Sequence, residues 1–398
     1  MKTRLARQNC DQLADLETPF FVFREDALRA RSSIIRRLAD ELDIQVLFPL
    51  KPLTLWPLLA IIGREVDGFS ASSLFEARIA HALNSSCGSV HLVSPMIRET
   101  ETEELVHLCD CIVFNSISQW ERLKDGVKAR VNCGLRVNPE LSLVSDRRYD
   151  ACRKFSKLGV PVSILGNLLE SAPRALREIS GLHFHNNCDS TDFSELLRTI
   201  RMLNRTVGQF IDAIQWINIG GGYLFDSDGN FDPFRRAVDE LRAKRTLSVF
   251  MEPGASFVRD SGNLVTSVVD MFSYNGQSIA VLDTTVNHMP EVFEYQFEPD
   301  VAEHSEQGCN RYILAGCSCL AGDVFGEYAF ETPLSIGSRV TFQNMGAYAL
   351  VKANMFNGIN LPSIYTLDEH EELALIREFT FDDFAARCGA DVYKHADI

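Results

Sequence analysis

Up to Gly254, apolar residues recur along the chain in two alternating rhythms. Short runs of β-branched, aromatic and aliphatic residues occupy 44–50 (IQVLFPL), 65–70, 89–94, 111–116, 131–138, 181–186, 216–221 and 247–252. Between them lie longer stretches with apolar positions at helical spacing, such as 72–83, 100–109 and 190–207; another, 24–42, precedes the first run. Short continuous apolar runs suit strands buried on both faces, and their alternation with amphipathic helices marks parallel βα units. Eight such runs predict an α/β fold, a (β/α)8 TIM barrel, whose chemistry sits where the strands end. A doubly wound sheet explains the alternation as well. It does not explain why Lys51, His185, the glycines 220–222 and Glu252 all fall at the carboxyl ends of runs.

After Gly254 the texture changes. Helical periodicity fades, and 263–274, 277–286, 311–316 and 338–345 read as strands separated by turns. The pattern predicts a barrel domain over 22–254 and a mostly β domain made of 255–398 with 1–21. No sequence repeat is present. No apolar run reaches the ~20 residues that span a bilayer, so no membrane association is expected. Residues 1–15 lack the apolar core of a secretory signal. Eleven cysteines are scattered, several of them inside apolar runs (Cys111, Cys133), which suits reduced thiols and a cytoplasmic location. None belongs to a cluster with zinc spacing, so no metal is expected. A net charge of −15 argues against nucleic acid as a partner and suits a cationic small molecule.

Individual residues suggest chemistry, each with a plainer alternative. Lys51 ends the first run, in LFPLKPLTLW. Burial there would lower its pKa and make it a nucleophile for Schiff-base formation, but a strand-end lysine snorkelling to water fits equally. Gly220, Gly221 and Gly222 after WINI let backbone amides approach an anion, and a helix following them would add its dipole; a tight turn is the alternative. Glu252 in FMEPGAS suits a partner for a protonated pyridine nitrogen, or a structural ion pair. His183 and His185 share one face of a strand, as a metal pair or as a core histidine beside a stacking one. Cys319 and Asp323, in GCSCLAGDVFGEY, suit a proton donor and a cation binder, or a buried thiol and a turn aspartate.

Taken together, the segments FPLKPLTLW, DGFSASSLFEAR, GLRVNPE, GLHFHNNCD, INIGGGY, MEPG, LDTTVNHMPEV, SCLAGDVFGEY and GAYALVKANMFNGI resemble the fold-type III pyridoxal-phosphate decarboxylases, the alanine racemase and ornithine decarboxylase group, and most of all its carboxynorspermidine branch. The resemblance runs from TPFFVF (18–23) to 355–362. It implies pyridoxal 5'-phosphate on Lys51, with His185 stacked on the ring. It implies phosphate contacts from Gly220 to Gly222 and Tyr348, a pyridinium partner in Glu252, and supporting roles for Glu76 and Arg136. Cys319 resembles a proton donor delivered across a dimer interface, which implies a homodimer with shared active sites. Asp189, Asp283, His288, Glu291 and Asp323 would meet the substrate, a carboxylated polyamine or other cationic amino acid. Ala255 stands where the family carries Arg or Glu, Asp189 where the branch carries Glu, and Leu320 where ornithine-type enzymes carry Asp. Rival readings are a decarboxylase of a diamino-acid conjugate in siderophore or natural-product synthesis, and an inactive homologue that binds a partner protein.

Overall fold

The structure is a computed structural model that describes residues 12–83, 88–243 and 245–390. The chain divides into two compact units: one runs Ala30–Phe257, and the other joins the chain up to Arg29 with the chain from Val258. Strand β1 (Phe20–Arg24) belongs to the second unit.

The first unit is a closed parallel barrel. Its strands are β2 (Gln45–Pro49), β3 (Gly68–Ala71), β4 (Ser89–Val93), β5 (Cys111–Phe114) and β6 (Asn132–Asn138), then, after a two-residue β7 (Val160–Pro161) beside β6, β8 (Gly181–His183), β9 (Trp216–Asn218) and β10 (Ser248–Met251). β10 pairs back onto β2 through Phe250↔Gln45 and Met251↔Val46, which closes the ring. Each of the eight predicted runs overlaps one of these strands; seven contain theirs whole, and β3 runs one residue past 65–70. β2 shows why they form: only Gln45 is exposed, so a continuous apolar run meets helices outside and the barrel core inside.

That core contains a layer of Leu47, Cys111, Val113, Trp216 and Phe250. His91 joins it, its ring 4.9 Å from that of Phe250 and 5.9 Å from that of Trp216. Trp216 fits because Gly134 and Gly181 face it from neighbouring strands; a Cβ on either would collide with the indole. The flanking helices, including Glu25–Glu41, Leu74–Leu83, Glu99–Leu108 and Ser194–Ile211, fall within four residues of their predicted bounds.

The second unit is built on β11 (Gly262–Tyr274), β12 (Gln277–Leu282), β13 (Asn310–Ala315), β14 (Val324–Phe330), β15 (Arg339–Phe342), β16 (Ser363–Leu367) and β17 (Leu373–Arg377), in the order β14-β13-β12-β11-β1-β16-β17, with β15 also on β11. The sequence reading put residues from 22 onward in the barrel. Instead β1 lies whole within this sheet, antiparallel to β11 and parallel to β16, because Phe20 and Val22 pack with Val265 and Leu367.

Candidate active site

β2 and β10 are neighbours, so the residues just beyond them, Lys51 and Glu252, come to the same mouth of the barrel. Gly254 lets these two strand ends lie together: a Cβ there would stand 2.6 Å from Cγ of Pro49 and 2.9 Å from Cγ of Pro52. A cavity of about 390 Å³ opens at this mouth, lined by Lys51, Ser70, Arg136, His183, His185 and Glu252 among others.

Glu252 is 8% exposed. Its Oε1 accepts from Asn218 Nδ2 at 2.8 Å, and His183 Nε2 lies 3.9 Å from the same oxygen. Burial pushes its pKa up, against the pull of Lys51, Asn218, Ser70 and Arg136. Lys51 lines the cavity and is exposed to it. The loss of bulk water around it pushes its pKa down, and Arg136 adds to this while Glu252 and Glu76 oppose it. Glu76, in the first turn of Leu74–Leu83, accepts from the Ser72 N–H at 2.6 Å, and burial raises its pKa. Burial also lowers the pKa of Arg136.

His185 and His183 are held well below the usual histidine value, chiefly by burial and then by the positive charges of Lys51 and Arg136, so both are neutral at pH 7. His185 Nδ1 accepts from the Gly221 N–H at 3.1 Å, which puts the proton of the neutral ring on Nε2. That bond also sets the plane of the ring.

The glycine turn differs from its expectation in two ways. The next helix of any length after it begins at Asp232, so no helix dipole is aimed from directly behind the turn. Two of the three amides are also engaged already: the Gly220 N–H donates to Asn218 Oδ1 at 2.9 Å, and that of Gly221 goes to His185. Among the described residues, Gly222 N–H is the one left for an anion. The turn still requires glycine. Gly220 and Gly222 have φ of +69° and +88°, and a Cβ on Gly222 would strike the carbonyl oxygen of Asn187. A cradle closed to Cβ atoms, beside a lysine of depressed pKa and a neutral imidazole, fits pyridoxal phosphate.

The remaining expected residues fall into two groups. Asp189 is exposed, with φ of +48°, in the segment after β8. Cys319, Tyr348, Asp283, His288, Glu291 and Asp323 belong to the second unit. Cys319 is exposed, and its N–H donates to Asn357 Oδ1 at 2.8 Å. Tyr348 takes a φ of +63° just before the short helix Ala349–Lys352.

Four of the expected substrate contacts are occupied by structural bonds. Asp323 is buried, accepting from Val286 N–H at 2.8 Å and from Ser318 N–H and Oγ at 2.9 and 2.5 Å. It therefore ties down the 317–323 loop instead of offering charge to a ligand. Asp283 accepts from Thr18, Thr266 and the Ser267 amide. His288 is fully buried against Thr284, and burial brings its pKa down to about 4. Glu291 already meets an ammonium, that of Lys352 at 3.0 Å. Among the described residues, no group of three or more His, Cys, Asp or Glu is placed to hold a metal ion, and no helix is long and apolar enough to cross a membrane.

Sequence reasoning missed Asn218 and Ser70, which hold the Glu252 carboxyl. An asparagine inside the apolar run WINIGG was the available signal. It also missed the cavity wall contributed by 148–158.

Comparison with known proteins fits this geometry. Residues 27–259 match the family described as pyridoxal-dependent decarboxylase, pyridoxal binding domain. A carboxyaminopropylagmatine decarboxylase of Synechocystis is 35% identical over 95% of this chain and 97% of its own length. A carboxynorspermidine/carboxyspermidine decarboxylase of Herminiimonas arsenicoxydans is 32% identical over 93% of this chain and 99% of its own. The crystal structure of carboxynorspermidine decarboxylase from Campylobacter jejuni, complexed with norspermidine, superposes with a TM-score of 0.83 at 31% identity, covering 94% of this chain and all of that one.

Proposed function

The chain belongs to the pyridoxal-dependent decarboxylases, and from that premise we propose that it decarboxylates a carboxylated polyamine, carboxynorspermidine or carboxyspermidine. The observation that carries the reading is the meeting of Lys51, His185 and Glu252 at one barrel mouth, in a chain whose near full-length relatives act on such substrates.

Bound pyridoxal phosphate supplies an electron sink for the pair left on the α-carbon when carbon dioxide departs. Lys51 holds it covalently, and its depressed pKa leaves a larger fraction of the amine free to do so. His185, fixed by Gly221, offers a neutral ring face against the cofactor ring. Glu252, held by Asn218 and Ser70, presents a carboxyl to the pyridine nitrogen. Gly222 takes the phosphate, with Glu76 and Arg136 supporting the site. Cys319 gives the proton that replaces the lost carboxylate at the α-carbon, and we assign it to the site of a second subunit in a homodimer. We assign Asp189, exposed in the segment after β8, to a substrate ammonium.

The test is a panel of carboxylated polyamines and basic amino acids, with products read by mass spectrometry. Norspermidine or spermidine should appear, with release of carbon dioxide; turnover of ornithine or lysine alone overturns the reading. The Synechocystis relative raises a second substrate, carboxyaminopropylagmatine, and preference for it would replace a terminal ammonium by a guanidinium. Lys51→Ala should abolish the absorbance of covalently held cofactor, and an unchanged spectrum would remove Lys51 from its role.

A further inference from the structure

The cavity that Lys51 lines has a wall with surplus positive charge. Arg136, Arg148, Arg153 and Lys157 all line it. Arg148 is balanced by Asp146 at 2.7 Å, and Arg136 lies in the field of Glu252. Arg153 and Lys157, exposed at the rim, have no ion-pair partner among the described residues. The lining carboxylate closest to them in sequence, Asp150, is buried and spent on Ser142 Oγ at 2.5 Å and the Cys152 N–H at 2.8 Å.

The wall is also anchored. Asn115, directly after β5, donates from Nδ2 to the Lys157 carbonyl at 2.8 Å and accepts from the Gly159 N–H at 2.9 Å. The Arg153 N–H closes a turn onto the Asp150 carbonyl. A chain of net charge −15 thus leaves two held cations unmatched at the rim of one cavity, where local charge selects a ligand of opposite sign.

We infer that Arg153 and Lys157 form a subsite for the α-carboxylate of the incoming substrate, which lets the site tell substrate from decarboxylated product. This deepens the substrate reading above and rests on it. Substrate and product share the same cationic tail, and an acidic protein attracts both. The carboxylate is the group that differs, so discrimination has to come from cations. Once carbon dioxide has gone, the same two side chains repel the all-cationic product and favour its release. Their exposed place in the cavity lining suits capture of the carboxylate as it arrives; a cation that kept its grip while the carboxylate was being lost would stabilise the ground state against that loss.

The test uses the holoenzyme with Arg153→Gln, Lys157→Gln and the double variant. Charge-assisted contacts of this kind lead us to expect a roughly tenfold fall in kcat/KM for the carboxylated polyamine in the double variant, larger than any fall in kcat. Calorimetric Kd for norspermidine should stay the same or tighten, and Arg153→Lys should keep most of the capture. An unchanged kcat/KM overturns the inference. So does parallel weakening of norspermidine binding, which would mean the wall holds the polyamine tail. Loss of cofactor absorbance would assign the cations to the cofactor phosphate instead. If the wild type turns over no carboxylated polyamine, the substrate reading falls by itself, and the same comparison is made between whichever amino acid is decarboxylated and its amine.

Discussion

Burial is the largest influence on Lys51, ahead of the opposing attraction of Glu252, and it favours the neutral amine. The rate at which cofactor-free protein reacts with added pyridoxal phosphate should therefore rise with pH with a midpoint below the 10.5 of an ordinary lysine. Stopped-flow absorbance at several pH values checks this, and a midpoint at or above the ordinary value would show that Glu252 wins. Gly222→Ala is a second test at this scale. Its φ of +88° and the Asn187 carbonyl leave no room for a methyl group, so the amide it presents must move; cofactor affinity should fall by about tenfold, equivalent to ~1.4 kcal/mol, as read by equilibrium dialysis. Lys51, His185 and Glu252 were legible in the sequence because a polar residue at the end of an apolar run is conspicuous. Asp323, conspicuous in its Gly-rich loop, and His288, expected from the resemblance, are both engaged in structural bonds. Sequence displays a polar group but not whether its lone pairs are already taken, and for Asp323 they are taken by Val286 and Ser318.

The barrel strands were readable because each is buried on both faces and so is written as an unbroken apolar run. β14 (VFGEYAF), β16 and β17 were missed. β14 and β17 lie at sheet edges, where one side has no neighbouring strand and polar residues are tolerated. The predicted domain boundary at 22 cuts through β1 because FFVFR suits either sheet, and what decides is a partner, β11, more than two hundred residues away. The glycines inside β6 and β8 show the same limit. Gly134 and Gly181 look like weak points in strands, yet they are the space into which Trp216 packs. Gly181→Ala should overpack this layer and destabilise the barrel by about 1–3 kcal/mol, measured by urea denaturation. A change within a few tenths of a kcal/mol would mean that the indole has room to turn.

Buried neutral histidines link the stability of the whole chain to pH. His91 in the barrel layer and His288 in the β unit both titrate near 4 when folded, against 6.5 for an exposed ring. Burial causes both shifts. Above about pH 6.5 neither state holds the extra proton, and the folded form has its full advantage. As pH falls from 6.5 toward 4 the unfolded chain takes up protons that the folded chain refuses, so stability is lost across this window, at up to about 1.4 kcal/mol per pH unit for each ring. His183 and His185, also held down chiefly by burial, act in the same direction. Glu76 and Glu252 act in the opposite one: their raised values mean that the folded state gains protons more readily than the unfolded state as pH falls. A simple acid titration of the wild type therefore mixes both signs. The difference between wild type and His91→Gln separates them, since the carboxylates are common to both. Among the described residues His91 Nδ1 has no hydrogen-bond partner, so the substitution removes the titrating ring without breaking a bond at that atom. The variant's urea-unfolding free energy should fall less steeply than the wild type's between pH 6.5 and 4.5, and the two should run parallel above pH 7. Parallel lines throughout would show that the ring takes up its proton in the folded barrel as readily as in water.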